Sequence, residues 1–217
     1  AIFVLLEFFF AGETTAGEPL ASADQLPLVI PHPRVLERLS SENVTVGRDG
    51  RSVTRVLLAA NDDLLTAAGQ LWASELERLG FAGGDGHTTC TLRVVTAAGR
   101  SASGDAPSLT AAETDVLAKS GQAYVIRIRP GPPSEIDVVG ASPLGAYYGV
   151  TTLVQLVRTN SPSAAVVPHV SVRDYPDIPY RMAADWVLTW DWEVNSYDWG
   201  DGLDAFVARV KRKIDLC

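Results

Sequence analysis

The 217-residue sequence is poor in the side chains that most often bind metals or carry out reactive chemistry. It has two cysteines, Cys90 and Cys217, and three histidines, His32, His87 and His169. Two cysteines cannot make a Cys-rich zinc site, and one of them is the final residue, so a structural disulfide is not expected. The histidines are scattered and show no His-Glu-x-x-His spacing. Neither a metal nor a cofactor is therefore expected. Gly145–Gly149 (GAYYG) is no phosphate loop, because it lacks the lysine and the G-x-G-x-x-G order. No stretch approaches the roughly 20 apolar residues needed to span a membrane. Basic residues are also scarce, 18 against 26 acidic ones, giving a net charge of −8. Nucleic acid and anionic membranes need Lys/Arg-rich faces, so neither is expected as a partner.

What is present suits a packed domain. Hydrophobic residues make up 47% and charged residues 20%, which excludes global disorder. The length fits one ordinary domain plus part of another. The chain opens with an apolar run, Ala1 to Phe10, broken only by Glu7, and Ala21-Ser22-Ala23 follows as a small-x-small triplet. Two readings stay open: the remains of a secretory signal with its cleavage site, or an N-terminal arm or first strand. The first places the protein outside the cytoplasm, secreted or periplasmic.

Further along, Leu26 to Ile30 reads as a short strand before Pro31-His32-Pro33. Arg51 to Ala59 has strand character. Asp62 to Leu79 is a helix: Asn61 or Asp62 can cap it, apolar residues recur at helical spacing, and Gly80 ends it. Thr91 to Thr96 alternates as a strand, and Leu109 to Lys119 is a candidate short helix. Gln122 to Arg129 and Glu135 to Val139 flank Pro130-Gly131-Pro132-Pro133 and predict a hairpin. Pro143 to Arg158 is a second long helix with proline in its first turn. Its glycines suit close packing of helix on sheet. Val166 to Val172 is a last strand. The pattern predicts an α/β (α+β) domain with a mainly antiparallel sheet and the two long helices on one face.

Composition changes after Asp174. Four of the five tryptophans, Trp186, Trp190, Trp192 and Trp199, crowd together, interleaved with Asp185, Asp191, Glu193 and Asp198. Flat rings stack on the apolar face of a pyranose and carboxylates accept from its hydroxyls. Sugar contact and simple packing both fit this composition. Asp191 and Glu193 would share one side of a strand and could form an acid–base pair, although such spacing is also common on exposed surfaces. A basic amphipathic helix is expected from Leu203 to Leu216.

Gly121 to Leu156 carries a more specific pattern. Gly121 and Tyr124, Ile136 and Val138, Gly140-Ala141, then Gly145, Tyr148, Gly149, Thr152, Leu153, Gln155 and Leu156 occur in order, followed by Asp174-Tyr175-Pro176 and Arg181. This resembles the accessory domain that precedes the catalytic barrel in glycoside hydrolase family 20, the β-N-acetylhexosaminidases. Pro31-x-Pro33 is similar to that family's first strand. Families 84 and 67 carry similar accessory domains. After Arg181 the sequence departs from family 20: Met182 replaces a glycine and no Arg-His pair follows. Arg181-Met182 with Trp186 looks more like the α-glucuronidases of family 67.

Composition marks 1–26 as a leader or signal remnant, and the resemblance implies a zincin-like accessory domain at 27–174 and the start of a (β/α)8 barrel at 175–217. It implies carbohydrate, an N-acetylhexosaminide or uronide, as partner, and packing of the accessory domain against the remainder of its barrel. Arg181 takes the position that binds sugar hydroxyls in the family. Candidate substrate-contact residues are Arg181, Asp185, Trp190 and Trp192. No catalytic residue is assigned within the chain, and the alternative of a non-catalytic binding or structural module stays open.

Overall fold

A computed structural model describes residues 26–59, 61–84, 88–99, 108–177, 190–191 and 196–197. The chain divides at Tyr175/Pro176 into two units.

In the first unit the strands are β1 (Val35–Arg48), β2 (Arg51–Ser52), β3 (Thr54–Leu58), β4 (Cys90–Thr96), β5 (Tyr124–Arg129), β6 (Ser134–Gly140), β7 (Arg158–Ser161) and β8 (Ala164–Asp174). The helices are α1 (Asp63–Arg78), α2 (Ala111–Leu117) and α3 (Pro143–Leu156). The strands form one sheet in the order β2-β1-β8-β5-β6-β4-β3, with β7 beside β8. The pairs β1–β2, β1–β8, β5–β6, β5–β8 and β7–β8 are antiparallel. Only β3–β4 and β4–β6 are parallel. The fold is thus the expected α/β arrangement with a mainly antiparallel sheet.

Alternation along the strands separates two faces. Leu92 and Val94, Ile126 and Ile128, Ile136 and Val138, and Val170 and Val172 lie in the main core with Leu65, Ala68, Trp72 and Leu76 of α1 and Ala146, Val150, Leu153 and Leu156 of α3. That spacing on α1 is the helical period seen in the sequence. Asp62 caps α1, its carboxylate accepting from the backbone N–H groups of Leu64 and Leu65 at 2.9 and 3.2 Å. Val95, Val125 and Val139 point the other way and pack with Leu117 of α2. The short helix α2 therefore seats on the face opposite the two long ones.

Two expectations are corrected, and strand β1 was not expected. Leu26 to Ile30 is not a strand; only Val29 is buried there, Leu28 and Ile30 project outward, and the Ile30 N–H donates to the Gln155 side chain at 2.9 Å. Pro27, Pro31 and Pro33 remove the donors that a sheet ladder needs. The first strand is β1, whose polar middle, Ser40-Ser41-Glu42-Asn43, hides it from pattern reading. β1 is held by long-range pairing to β8, with an irregularity between Arg38 and Asn43. The Arg51 to Ala59 strand divides into β2, which pairs with β1, and β3, which pairs in parallel with β4; Val53 between them donates to the Val46 carbonyl at 3.1 Å.

The second unit contributes one described element pair, β9 (Trp190–Asp191) against β10 (Ser196–Tyr197), antiparallel. The expected amphipathic helix at 203–216 lies outside the described residues, as do Ala1 to Gln25.

Candidate functional site

Of the four sugar-contact candidates, Trp190 begins β9 and pairs with Tyr197. Arg181, Asp185 and Trp192 lie outside the described residues, as does Glu193. The structure brings together the set of motif residues in the first unit.

Tyr124, Thr152 and Asp174 meet at one end of the sheet. The Tyr124 hydroxyl lies 2.6 Å from the Thr152 hydroxyl and 3.1 Å from Asp174 Oδ2. An ionised carboxylate only accepts, so Tyr124 donates to Asp174 and accepts from Thr152. Asp174 Oδ1 accepts the backbone N–H of Arg34 at 3.2 Å. Arg34 Nε donates to the Tyr175 carbonyl at 3.1 Å, and its guanidinium carbon lies 4.1 Å above the Tyr175 ring. The node ties the start of β1, the start of β5, the middle of α3 and the end of β8 together. Replacing Tyr124 by Phe deprives a buried threonine of its acceptor and a carboxylate of a donor. A loss of about 1–2 kcal/mol is expected in urea unfolding.

Three motif glycines let α3 press on the hairpin. A Cβ on Gly140 would collide with the backbone nitrogen of Ala146, and one on Gly145 with the Ala123 carbonyl. One on Gly149 would lie 2.5 Å from Val138 Cγ1. These glycines serve packing, as their place in a helix-on-sheet contact suggested.

The face that carries α2 is unusually rich in ion pairs, which sequence reading did not single out. Arg93 Nε donates to Asp137 Oδ1 at 2.7 Å, and its Nη2 lies 2.8 Å from Glu135. Arg129 Nη2 lies 2.6 Å from both Glu135 and Asp137. The strand register explains this: Arg127 is opposite Asp137, Arg129 opposite Glu135, and Arg93 beside Asp137. The signal was present as Arg-x-Arg and Glu-x-Asp on either side of a Pro-Gly-Pro-Pro turn. Both carboxylates are thus paired with the same two arginines.

Glu113 closes a capping box at the start of α2, accepting from the Thr110 N–H at 2.7 Å. It also accepts two bonds from Arg127. Burial pushes the Glu113 carboxyl up, but the bonds from Arg127 and Thr110 outweigh it and hold it down at about 2. An unfolded glutamate titrates near 4.3. The folded value is the lower one, so the stabilisation is fully present above about pH 5 and is lost as pH falls toward 2. It amounts to about 3 kcal/mol. In Glu113→Gln, unfolding free energy should fall less between pH 5 and pH 2.5 than in the parent; equal slopes in urea titrations would refute the assignment.

A groove of about 600 Å³ opens between β1 and the β5–β6 turn, lined by Asn43, Thr45, Arg48, Thr88, Thr89 and residues 130–134. Cys90 is buried, and burial drives its thiol up to about 12, so it is unsuited as a nucleophile. Among the described residues no group of three or more His, Cys, Asp or Glu side chains is placed to hold a metal. Nor is any described helix long and apolar enough to cross a membrane.

Among solved structures, that of CpGH84D is 15% identical and superposes with a TM-score of 0.51, over 73% of this chain and 25% of that one. A glycoside hydrolase family 20 β-N-acetylglucosaminidase is 22% identical, with a TM-score of 0.45 over 72% of this chain and 24% of that one. The GH20 exo-β-N-acetylglucosaminidase of Vibrio harveyi is 18% identical, with a TM-score of 0.46 over 76% and 21%. This chain thus spans a quarter or less of the length of these structures. At such identity the likeness to CpGH84D speaks for the fold alone. No curated protein matches the chain. The family model described as glycosyl hydrolase family 20, domain 2, matches residues 26–175, the span that contains the Tyr124–Asp174 node and the three packing glycines. The chain therefore belongs to glycosyl hydrolase family 20, through that family's domain 2.

Proposed function

We propose that this chain is the N-terminal part of a glycoside hydrolase that removes terminal N-acetylhexosamine residues from glycans. The observation that carries this reading is the domain 2 match across residues 26–175. On this reading residues from about 175 onward begin a (β/α)8 barrel, and the accessory domain packs against the remainder of that barrel. Catalysis is substrate-assisted: the acetamido oxygen of the sugar attacks the anomeric carbon, while a carboxylic acid protonates the leaving oxygen. That acid belongs to a later barrel strand and not to this chain. Arg181 holds two vicinal hydroxyls of the terminal sugar, a task suited to a planar fork of donors that stays charged at any working pH. Asp185, Trp190 and Trp192 supply further contacts, the rings by stacking. The apolar opening run and its Ala-Ser-Ala triplet support a location outside the cytoplasm.

The passage Arg181-Met182 with Trp186 favours a second reading, the N-terminal part of an α-glucuronidase. A non-catalytic carbohydrate-binding or structural module is the third. Three samples separate them: this chain, the longer protein encoded with it, and the longer protein carrying Arg181→Ala. The longer protein should release nitrophenol from an aryl N-acetylglucosaminide and not from an aryl α-glucuronide, while this chain alone releases none. Arg181→Ala should lower kcat/KM about 30- to 1000-fold, the loss of about 2–4 kcal/mol of transition-state binding. Release only from the glucuronide establishes the second reading. Inactivity of every form establishes the module. An Arg181→Ala enzyme with unchanged kcat/KM and a lower melting temperature makes Arg181 structural.

A further inference from the structure

The groove between β1 and the β5–β6 turn has a chemistry unlike that of the chain as a whole. Carboxylates outnumber basic groups in the sequence, 26 to 18, yet no carboxylate is among the described residues lining the groove. Among the described residues lining it, the one charge is Arg48. Asn43 and Thr45 reach it by strand alternation, since Val44 and Val46 between and beside them are buried in the core. Thr88 and Thr89 approach from the start of β4, and Ser134 from the turn. Among the described residues the side chains of Asn43, Thr45, Arg48, Thr88 and Thr89 make no hydrogen bond or ion pair with another residue. The guanidinium, one amide and three hydroxyls are therefore all unspent.

The walls are held in place by the backbone. Ser134 N–H donates to the Thr89 carbonyl at 3.0 Å, and Thr89 N–H to the Val53 carbonyl at 3.0 Å. Asn43, Thr45 and Arg48 are paired to or flank residues paired to β8. Three of the four residues in the turn at 130–133 are prolines, which keeps the conformational cost of binding low. A rigid concave wall of neutral donors and acceptors with a single forked cation matches a hydroxyl-rich ligand that carries an anionic group.

We propose that this groove is a carbohydrate-binding site that takes acidic glycan, a chain of sugars bearing carboxylate or sulfate. The proposal rests on the glycosidase reading for its ligand class and on the groove's own geometry for its place and charge preference. On this basis the accessory domain captures the polymer whose end the enzyme trims.

The test is titration of the 217-residue chain, followed by calorimetry and amide NMR, with three probes: a hyaluronan hexasaccharide, which alternates N-acetylglucosamine with glucuronate, neutral chitohexaose, and inorganic sulfate. The hyaluronan hexasaccharide should bind and shift the amides of Thr45, Thr89 and Ser134. Arg48→Ala should weaken it at least tenfold and flatten its salt dependence. Thr45→Tyr, which fills the groove, should abolish it without lowering the melting temperature, and Arg55→Ala on exposed β3 should change nothing. Equal binding of chitohexaose, indifferent to Arg48→Ala, overturns the charge preference. Sulfate binding as tightly at the same amides overturns the glycan assignment, and no shift at these amides with any probe overturns the site. Because binding to this chain is read without any hydrolysis, and hydrolysis of an aryl N-acetylglucosaminide by the longer protein is read without the hexasaccharide, failure of this proposal and failure of the glycosidase reading give different results.

Discussion

Gly140→Ala should destabilise the first unit by at least about 3 kcal/mol, and Gly140→Val should leave little folded protein. The added methyl meets the backbone nitrogen and Cα of Ala146 and the carbonyl of Ser142. All three atoms belong to the first turn of α3 or its cap, where the Ala146 N–H donates to the Ser142 carbonyl at 3.0 Å. No rotamer change can clear them; the helix itself must move off the sheet. That motion separates Ala146, Val150 and Leu153, all buried, from Ile126 and Val138. A domain stabilised by only 5–15 kcal/mol tolerates little of this. Gly149→Ala should cost less, about 1–3 kcal/mol, because its nearest clash is Val138 Cγ1, the end of a side chain that can turn. Gly121→Ala is the control: nothing lies within 4 Å of its added Cβ, so its effect should stay within about 0.5 kcal/mol. Chemical denaturation of the three variants gives the order Gly140 > Gly149 > Gly121. A neutral Gly140→Ala would show that close approach of α3 is not what this glycine provides.

The legible parts of the fold are those whose information is local. α1 could be read because Asp62 caps it and Leu65, Ala68, Trp72 and Leu76 repeat at helical spacing within a few residues of one another. The β5–β6 hairpin could be read because its turn is written in prolines between two alternating runs. β1 could not. Its middle is polar, its partners on β8 lie about 130 positions away, and its irregularity between Arg38 and Asn43 breaks the period of two. β7 was missed for the same reason: Arg158–Ser161 has no apolar alternation and exists through its pairing with β8. The node at Asp174 was half legible. Its residues stood out as a motif, but only the sheet register shows that Tyr124 and Asp174 are opposite each other. The groove was not legible, since three segments distant in sequence build it. The sugar-contact candidates Arg181, Asp185 and Trp192 lie beyond what the structure describes.

Asp137 carries the other large effect. Its side chain is fully buried, with 0% exposure, between Arg93 and Arg129, whose side chains are 16% and 38% exposed. Removing one partner of a buried pair leaves the other charge without compensation, which costs about 3–5 kcal/mol. Asp137→Ala should reach that range, because Arg93 loses its bond to Oδ1 and a cavity opens beneath the sheet. Glu135 faces the same two arginines but is 34% exposed, so water replaces most of what Glu135→Ala removes. Its loss should be about 1 kcal/mol or less. The two carboxylates have the same partners and differ in burial, so the comparison isolates desolvation from attraction. Arg93→Met combined with Asp137→Leu tests the same point from the other side. It removes both charges from the interior and fills the space with apolar atoms, so it should recover most of the stability lost in Asp137→Ala. Urea unfolding at pH 7 of the two alanine variants and the double variant decides the matter. Equal losses for Asp137→Ala and Glu135→Ala would mean that the cost follows the ion pairs themselves and not the burial of one of them.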